Sequence, residues 1–317
     1  MISIRCIIIP TYNHFAHIRT EILKVPKFWN KIFPRNFFEK WFLNKKASLE
    51  TGLSEGIPIT YRAGDQPNNA LSLGVINSNE VAATGGTSGV VYGVVDKPIY
   101  DLQSRINGFA HVNHTSVKPR IGMLLCINGA GIQYSFLKKI IAKPDVSYND
   151  MEVMAREISI GSEGLRIIPF GNGAERILAN KSPGAQINNL QFNKHSQAHF
   201  FRAGLEGIAF SFVYGFQVLK ELGLNPKVIK VGNDNLFQSK IFSSTVANLL
   251  GCCIEVIKTT GAEGAAKASG VGAKVYANLE ESIKINEVEK QYFPTENIDE
   301  YKVAYEAWEE DLKKLVS

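Results

Sequence analysis

Glu80-Val81-Ala82-Ala83-Thr84-Gly85-Gly86-Thr87-Ser88-Gly89-Val90-Val91-Tyr92-Gly93-Val94-Val95 decides how this 317-residue chain is read. Two runs of β-formers flank a turn of glycines and hydroxyls. The pattern predicts a hairpin of strands over 80–84 and 90–95. Shortly upstream stands Ala63-Gly64-Asp65-Gln66-Pro67-Asn68-Asn69-Ala70, a lone acid beside glycine and amide side chains. An acid that can take a proton from a hydroxyl, followed by a turn that can wrap a phosphate, is the minimum equipment for phosphorylating an alcohol. Each feature alone also has an ordinary reading, as a solvated turn residue and as a plain hairpin.

Working outward, Ile57 to Tyr61 reads as a short strand feeding the Asp65 turn, and Asn68 to Gly74 as a helix. Residues 107–114 and 121–128 read as further strands, Gly129 onward and 149–157 as helices, and Leu165 to Phe170 as a strand. A Gly- and Asn-rich loop covers 171–195. Phe201, Leu205, Ile208, Phe212, Phe216 and Leu219 recur at three- and four-residue steps, which predicts a long helix over 198–222. Then follow strand 227–231, the turn Gly232-Asn233-Asp234-Asn235, helix 237–250, strand 254–257 and helix 262–276. An amphipathic helix with Trp308 on its apolar side closes the chain over 301–315. Strands first, then strand and helix in alternation, predict an α/β fold with a mixed sheet flanked by helices.

Hydrophobic residues make up 45% of the chain and charged residues 21%, as in an ordinary soluble globular protein. The cysteines are Cys6, Cys126, Cys252 and Cys253. None has zinc spacing, and the expectation is reduced thiols in a cytoplasmic protein. No apolar run reaches the length of a membrane span. The net charge of +5 is concentrated: residues 1–47 carry nine Lys and Arg against two Glu, together with many aromatics. Residues 1–50 are therefore set apart as an atypical, poorly ordered segment with helical turns near 36–44. A basic, aromatic stretch can meet nucleic acid or a membrane surface. Apolar side chains that lack their normal partner are the preferred reading, with no nucleic-acid or membrane partner.

Several stretches, in register, resemble the carboxyl-terminal half of the FGGY carbohydrate kinases, in their xylulokinase-like branch. Gly64-Asp65-Gln66 matches the catalytic turn and Gly85-Gly86-Thr87-Ser88-Gly89 the phosphate hairpin. Gly129-Ala130-Gly131-Ile132-Gln133 resembles a family helix start, and Pro169-Phe170 with Gly173-Ala174-Glu175-Arg176 a family loop. Arg202-Ala203-Gly204-Leu205-Glu206-Gly207-Ile208-Ala209-Phe210 and Gly264-Ala265-Ala266-Lys267-Ala268 resemble two family helices. The resemblance covers about 50–280, leaving 281–317 as a helical extension. It implies a ribonuclease-H-like, actin-like ATPase lobe that binds nucleotide.

By that resemblance the chain phosphorylates a sugar with Mg-ATP. Asp65 is the catalytic base and, with Gln66, touches the sugar. Gly86, Thr87, Ser88, Gly129, Gln133, Gly232, Asn233 and Asn235 bind nucleotide, with Gly129 letting a helix start face phosphate; no residue is assigned to a metal. The acceptor implied is a pentulose-type sugar, D-xylulose first. Two departures stand out. The adenine turn, typically Gly-Gly-Gly-Ala, reads Val231-Gly232-Asn233-Asp234, and no Asp-x-Gly-Thr loop of a first lobe occurs. A first lobe, separately encoded or lost, is thus expected as partner, with a non-catalytic nucleotide- or partner-binding remnant as the alternative. Whether the chain is a homo-oligomer is left open. Glu175-Arg176 is expected to be a loop-fixing ion pair and Arg202/Glu206 an i,i+4 pair. His111, His114, His195 and His199 are expected to serve surface or packing roles.

Overall fold

A computed structural model describes residues 41–317 except 234 and 297. Of the atypical segment, residues 1–40 lie outside the described residues, as do the turns expected over 36–40. Beyond them, Trp41–Phe42 is not helical but a strand, β1, antiparallel to β2 (Pro58–Ile59). Helix α1 (Lys45–Thr51) lies between, capped by the Asn44 side chain and closed by Gly52 in the left-handed region.

Helix α2 (Asp65–Ser72) starts at the acid itself, three residues before the expected Asn68. Pro67 is its third residue, where no intrahelical acceptor awaits an N–H, so the ring does no harm there. The hairpin forms as expected: β3 (Val81–Gly85) pairs antiparallel with β4 (Gly89–Val95), Gly85 opposite Gly89, leaving Gly86-Thr87-Ser88 as the turn. β5 (Asn107–Ala110) and β6 (Ile121–Ile127) extend the sheet on one side. Helices α3 (Gly131–Ile141) and α4 (Tyr148–Arg156) follow, then a small ribbon of β7 (Arg166–Ile168) and β8 (Gln186–Asn188).

The periodic stretch is α5 (Gln197–Glu221), and its six stripe residues are all buried. β9 (Val228–Gly232), α6 (Lys240–Leu250), β10 (Cys253–Lys258) and α7 (Gly261–Gly272) alternate as predicted. The part expected to be a purely helical extension departs from expectation. After α8 (Leu279–Ile283) it contributes a strand, β11 (Glu287–Tyr292), before the closing helix α9 (Ile298–Val316). β11 pairs antiparallel with β10 and forms an edge of the main sheet, its residues mostly exposed, so no apolar alternation marks it.

The main sheet has seven strands in the order β11-β10-β9-β3-β4-β6-β5. β10, β9 and β3 run parallel and the other neighbours antiparallel, the mixed sheet expected. Alternate residues feed two cores, as a strand's two-residue period requires. Val81, Ala83, Val91 and Val95 join α5 and α6 in the large core, while Ala82, Tyr92 and Val94 face α2. Trp308 of α9 is fully buried in the large core, its Nε1 donating to the Ile167 carbonyl at 2.9 Å. No helix among the described residues is long and apolar enough to cross a membrane.

Candidate active site

Thr84 and Val90 lie opposite one another on the face of the hairpin that carries Ala82 and Tyr92. Beside them the starts of α2 and α7 come together. The Asn68 side chain donates to the Gly261 carbonyl at 2.7 Å, and the two helices pack where a side chain at Gly264 would lie 2.5 Å from Ser72 Cβ. The result is a cleft of about 520 Å³, lined by Arg62, Gly64, Asp65, Gln66, Gly86, Ser88, Asn235 and Gly261 among others. Asp65 and the phosphate-type turn thus share one cavity.

Asp65 is exposed at the first position of α2, where the helix dipole favours a negative charge. Its Oδ1 accepts from the Gln66 N–H at 2.8 Å, and its Oδ2 has only a long 3.5 Å contact with Gln66 Nε2. Asp65 is the sole acid among the described residues lining the cleft. Helix starts and a glycine turn around one carboxylate give a site with backbone donors for an anion and one proton acceptor.

The other expected nucleotide residues are placed differently. Thr87 is exposed at the hairpin tip. Gly129 is not at a free helix start: a side chain there would meet the Pro169 carbonyl oxygen at 2.2 Å, so its lack of one allows close packing. The helix begins at Gly131, and its first amides already have partners. Gly131 N–H donates to the Gly86 carbonyl and Ile132 N–H to the Thr87 carbonyl, each at 3.1 Å. The start of α3 therefore clamps the hairpin turn. Gln133 is only 8% exposed, lies against Gly204 of α5, and neither of its amide atoms has a hydrogen-bond partner. Gly232 closes β9, and Asn233 donates to both carboxylate oxygens of Glu289 at 2.9 and 2.8 Å, which ties β9 to β11. Of that turn, Asn235 reaches the cleft, in the left-handed region; Asp234 lies outside the described residues.

Glu175 and Arg176 do not act as the expected loop-fixing pair. Fully buried, Glu175 turns Oε2 to the Asn128 N–H at 2.9 Å, while Arg176 donates to Asn107 Oδ1. Burial pushes the Glu175 carboxyl up to about 7, against the pull of the Asn128 and Gly129 amides. The Arg202–Glu206 pair forms at 2.6 Å, buried, with Gly161 N–H and Ser162 Oγ completing the carboxylate's shell. His111 takes a packing role: its ring joins Tyr92 Oη at 2.9 Å and the Val75 carbonyl at 3.0 Å, and burial lowers its pKa to about 4. Arg62, Asn68, Asn69 and Gly261 were not singled out from the sequence. The paired amides after Asp65 were a visible signal; the approach of Gly261, far along the chain, was not.

No family model matches the chain. Curated relatives do. A xylulose kinase of Haemophilus influenzae is 24% identical over 269 residues, covering 83% of this chain and 52% of the relative. A xylulose kinase of Bacillus subtilis is 26% identical over 270 residues, with 82% and 52% covered. A gluconokinase of Bacillus subtilis is 25% identical over 238 residues, with 68% and 45% covered. Among solved structures, ligand-bound xylulose kinase from Lactobacillus acidophilus superposes with a TM-score of 0.77 at 20% identity, covering 86% of this chain and 55% of that one. That likeness shows the fold, the actin-like ATPase fold with its mixed sheet. The chain spans about half the length of the curated relatives it matches. Sequence relatives and fold agree: the chain is similar to sugar kinases over most of its length, consistent with a carboxyl-terminal lobe of the FGGY type.

Proposed function

We propose that the cleft transfers the terminal phosphoryl group of Mg-ATP to a sugar hydroxyl, in company with a first lobe of the kind the resemblance implies. What supports this reading above all is that Asp65 and the Gly86–Ser88 turn line one cavity. The hydroxyl oxygen attacks the terminal phosphorus, the bond to the departing ADP oxygen breaks, and the hydroxyl proton passes to Asp65. Oδ2 is the oxygen for that proton, because Oδ1 already accepts from Gln66. Gln66 orients the sugar. Gly86 and Ser88 hold phosphate oxygens, with Asn235 beside them. Thr87, Gly129, Gln133, Gly232 and Asn233 do not line the cleft, and in this proposal they act on the nucleotide site only through the elements that border it. Magnesium would arrive on the nucleotide's phosphates and neutralise their charge. A single carboxylate among the described residues of the cleft suits one base and leaves the ion's coordination to phosphate and water.

The acceptor proposed is a pentulose, D-xylulose first, after the names of the relatives. The purified chain, alone and mixed with the part of the Bacillus subtilis xylulose kinase that it does not match, is to be assayed for ATP-dependent phosphorylation of D-xylulose and of gluconate. Transfer to D-xylulose is expected in the assembled preparation. No transfer to either acceptor in any combination overturns the enzymatic reading. The second reading is a nucleotide-binding component without turnover. It predicts Mg-ATP binding by calorimetry with no phosphorylated product.

A further inference from the structure

Glu175 lies outside the cleft, yet it is wired to the hairpin. Its backbone closes a turn: its N–H donates to the Lys181 carbonyl at 2.8 Å, and its own carbonyl accepts from Leu178 and Asn180. That turn fixes the side chain beneath the junction of β6 and α3. There Oε2 receives the Asn128 N–H, and the Asn128 side chain donates back to the Ala174 carbonyl at 2.6 Å. Three residues on, Gly131 and Ile132 give their amides to the carbonyls of Gly86 and Thr87. Gly131 has no room for a side chain, since a Cβ would stand 2.4 Å from the Gly86 oxygen. One continuous path of hydrogen bonds and backbone therefore runs from a buried carboxylate to the turn of the hairpin.

We propose that Glu175 is a positioning residue for that turn. Its carboxylate seats the Asn128–Gly129 junction so that the first amides of α3 clamp the Gly86 and Thr87 carbonyls and aim the turn's own N–H groups outward. Removing the acceptor leaves the part-buried Asn128 N–H without its partner, and the junction gives way to relieve it. That the aimed turn meets phosphate rests on the function proposed above; the clamp does not.

Hydrogen exchange of the full chain, read residue by residue, tests it in Glu175→Gln, Glu175→Met and Glu175→Asp. Methionine fills similar volume without a strong acceptor, and aspartate keeps the charge but retracts it. In both, exchange at Gly131 and Ile132 should quicken about tenfold while α9 is unchanged. Glutamine retains a carbonyl acceptor and should stay within about twofold of wild type. If Glu175→Met does not fold, Glu175→Asp carries the comparison. Unchanged protection in Met and Asp overturns the proposal, as does equal loss in Gln and Met. Mg-ATP affinity is read alongside, and should weaken in Met and recover in Gln. Absence of Mg-ATP binding by wild type sinks the functional reading, with the clamp still judged by exchange.

Discussion

Replacing Gly131 with Ala should prise the start of α3 from the hairpin. The added Cβ would stand 2.4 Å from the Gly86 carbonyl oxygen and 3.1 Å from its carbon. These are backbone atoms, so no side-chain rotation relieves the clash. The helix start or the turn must shift, and the two 3.1 Å hydrogen bonds from Gly131 and Ile132 are lost or stretched. Each is worth about 1 kcal/mol net. Alanine in a helix returns roughly 0.5–1 kcal/mol through propensity. The balance is a loss of about 1–3 kcal/mol once the displaced packing is included. Gly86→Ala is the matched control: its Cβ meets nothing nearer than the Ser88 carbonyl at 3.7 Å, an ordinary contact, so its effect should stay within about 0.5 kcal/mol. Urea denaturation followed by circular dichroism measures both. If Gly131→Ala is as stable as wild type, or more stable as propensity alone dictates, then α3 does not clamp the turn.

Asp65→Asn keeps shape but removes the proton acceptor, so phosphoryl transfer in an active preparation should drop by about 10²–10⁴ while Mg-ATP affinity by calorimetry hardly moves. Glu175 titrates at about 7 when folded, above the ordinary 4.5, so the folded state holds its proton more tightly and stability falls as pH rises between those values. Glu175→Gln should therefore gain on wild type from pH 5 to pH 8, by at most about 3 kcal/mol in urea denaturation, and a flat difference would contradict the buried carboxylate. His111 has the opposite sign: with a folded pKa of about 4 against 6.5, its contribution is whole above 6.5 and is lost as pH falls towards 4. His111→Gln should remove that acid sensitivity, and the two variants must be compared separately because their effects oppose in wild type.

Parts of this fold were legible because burial writes a period into the sequence. In α5 the core surrounds the helix, and its apolar residues recur at helical steps. The hairpin was legible because β-formers flank a turn that only small residues suit. β11 was not, because Glu287-Val288-Glu289-Lys290-Gln291 faces solvent and owes its place to backbone pairing with β10, which leaves no side-chain signature. The early start of α2 was hidden by Pro67, which reads as a breaker in a linear scan but is harmless within a first turn.

The site divides along the same line. Asp65 and the hairpin were found because residue type and order announce their chemistry over a short span. Arg62, Asn68 and Gly261 enter the cleft through the packing of α2 on α7, a contact between residues 193 positions apart in the Asn68–Gly261 hydrogen bond. Gly129 was assigned to a helix start facing phosphate and Gln133 to binding the nucleotide, yet the amides of that start are already bound to the hairpin's carbonyls. A hydrogen-bond donor facing a protein acceptor cannot face a ligand at the same time. The start of α3 therefore acts on the cleft indirectly, by holding the turn that borders it. Glycine at 131 is then required by the 2.4 Å approach to Gly86, and glycine at 129 by the 2.2 Å approach to Pro169. Gly129, which in one dimension reads as a phosphate residue, is in three, together with Gly131, a close-packing point on which the turn's aim depends.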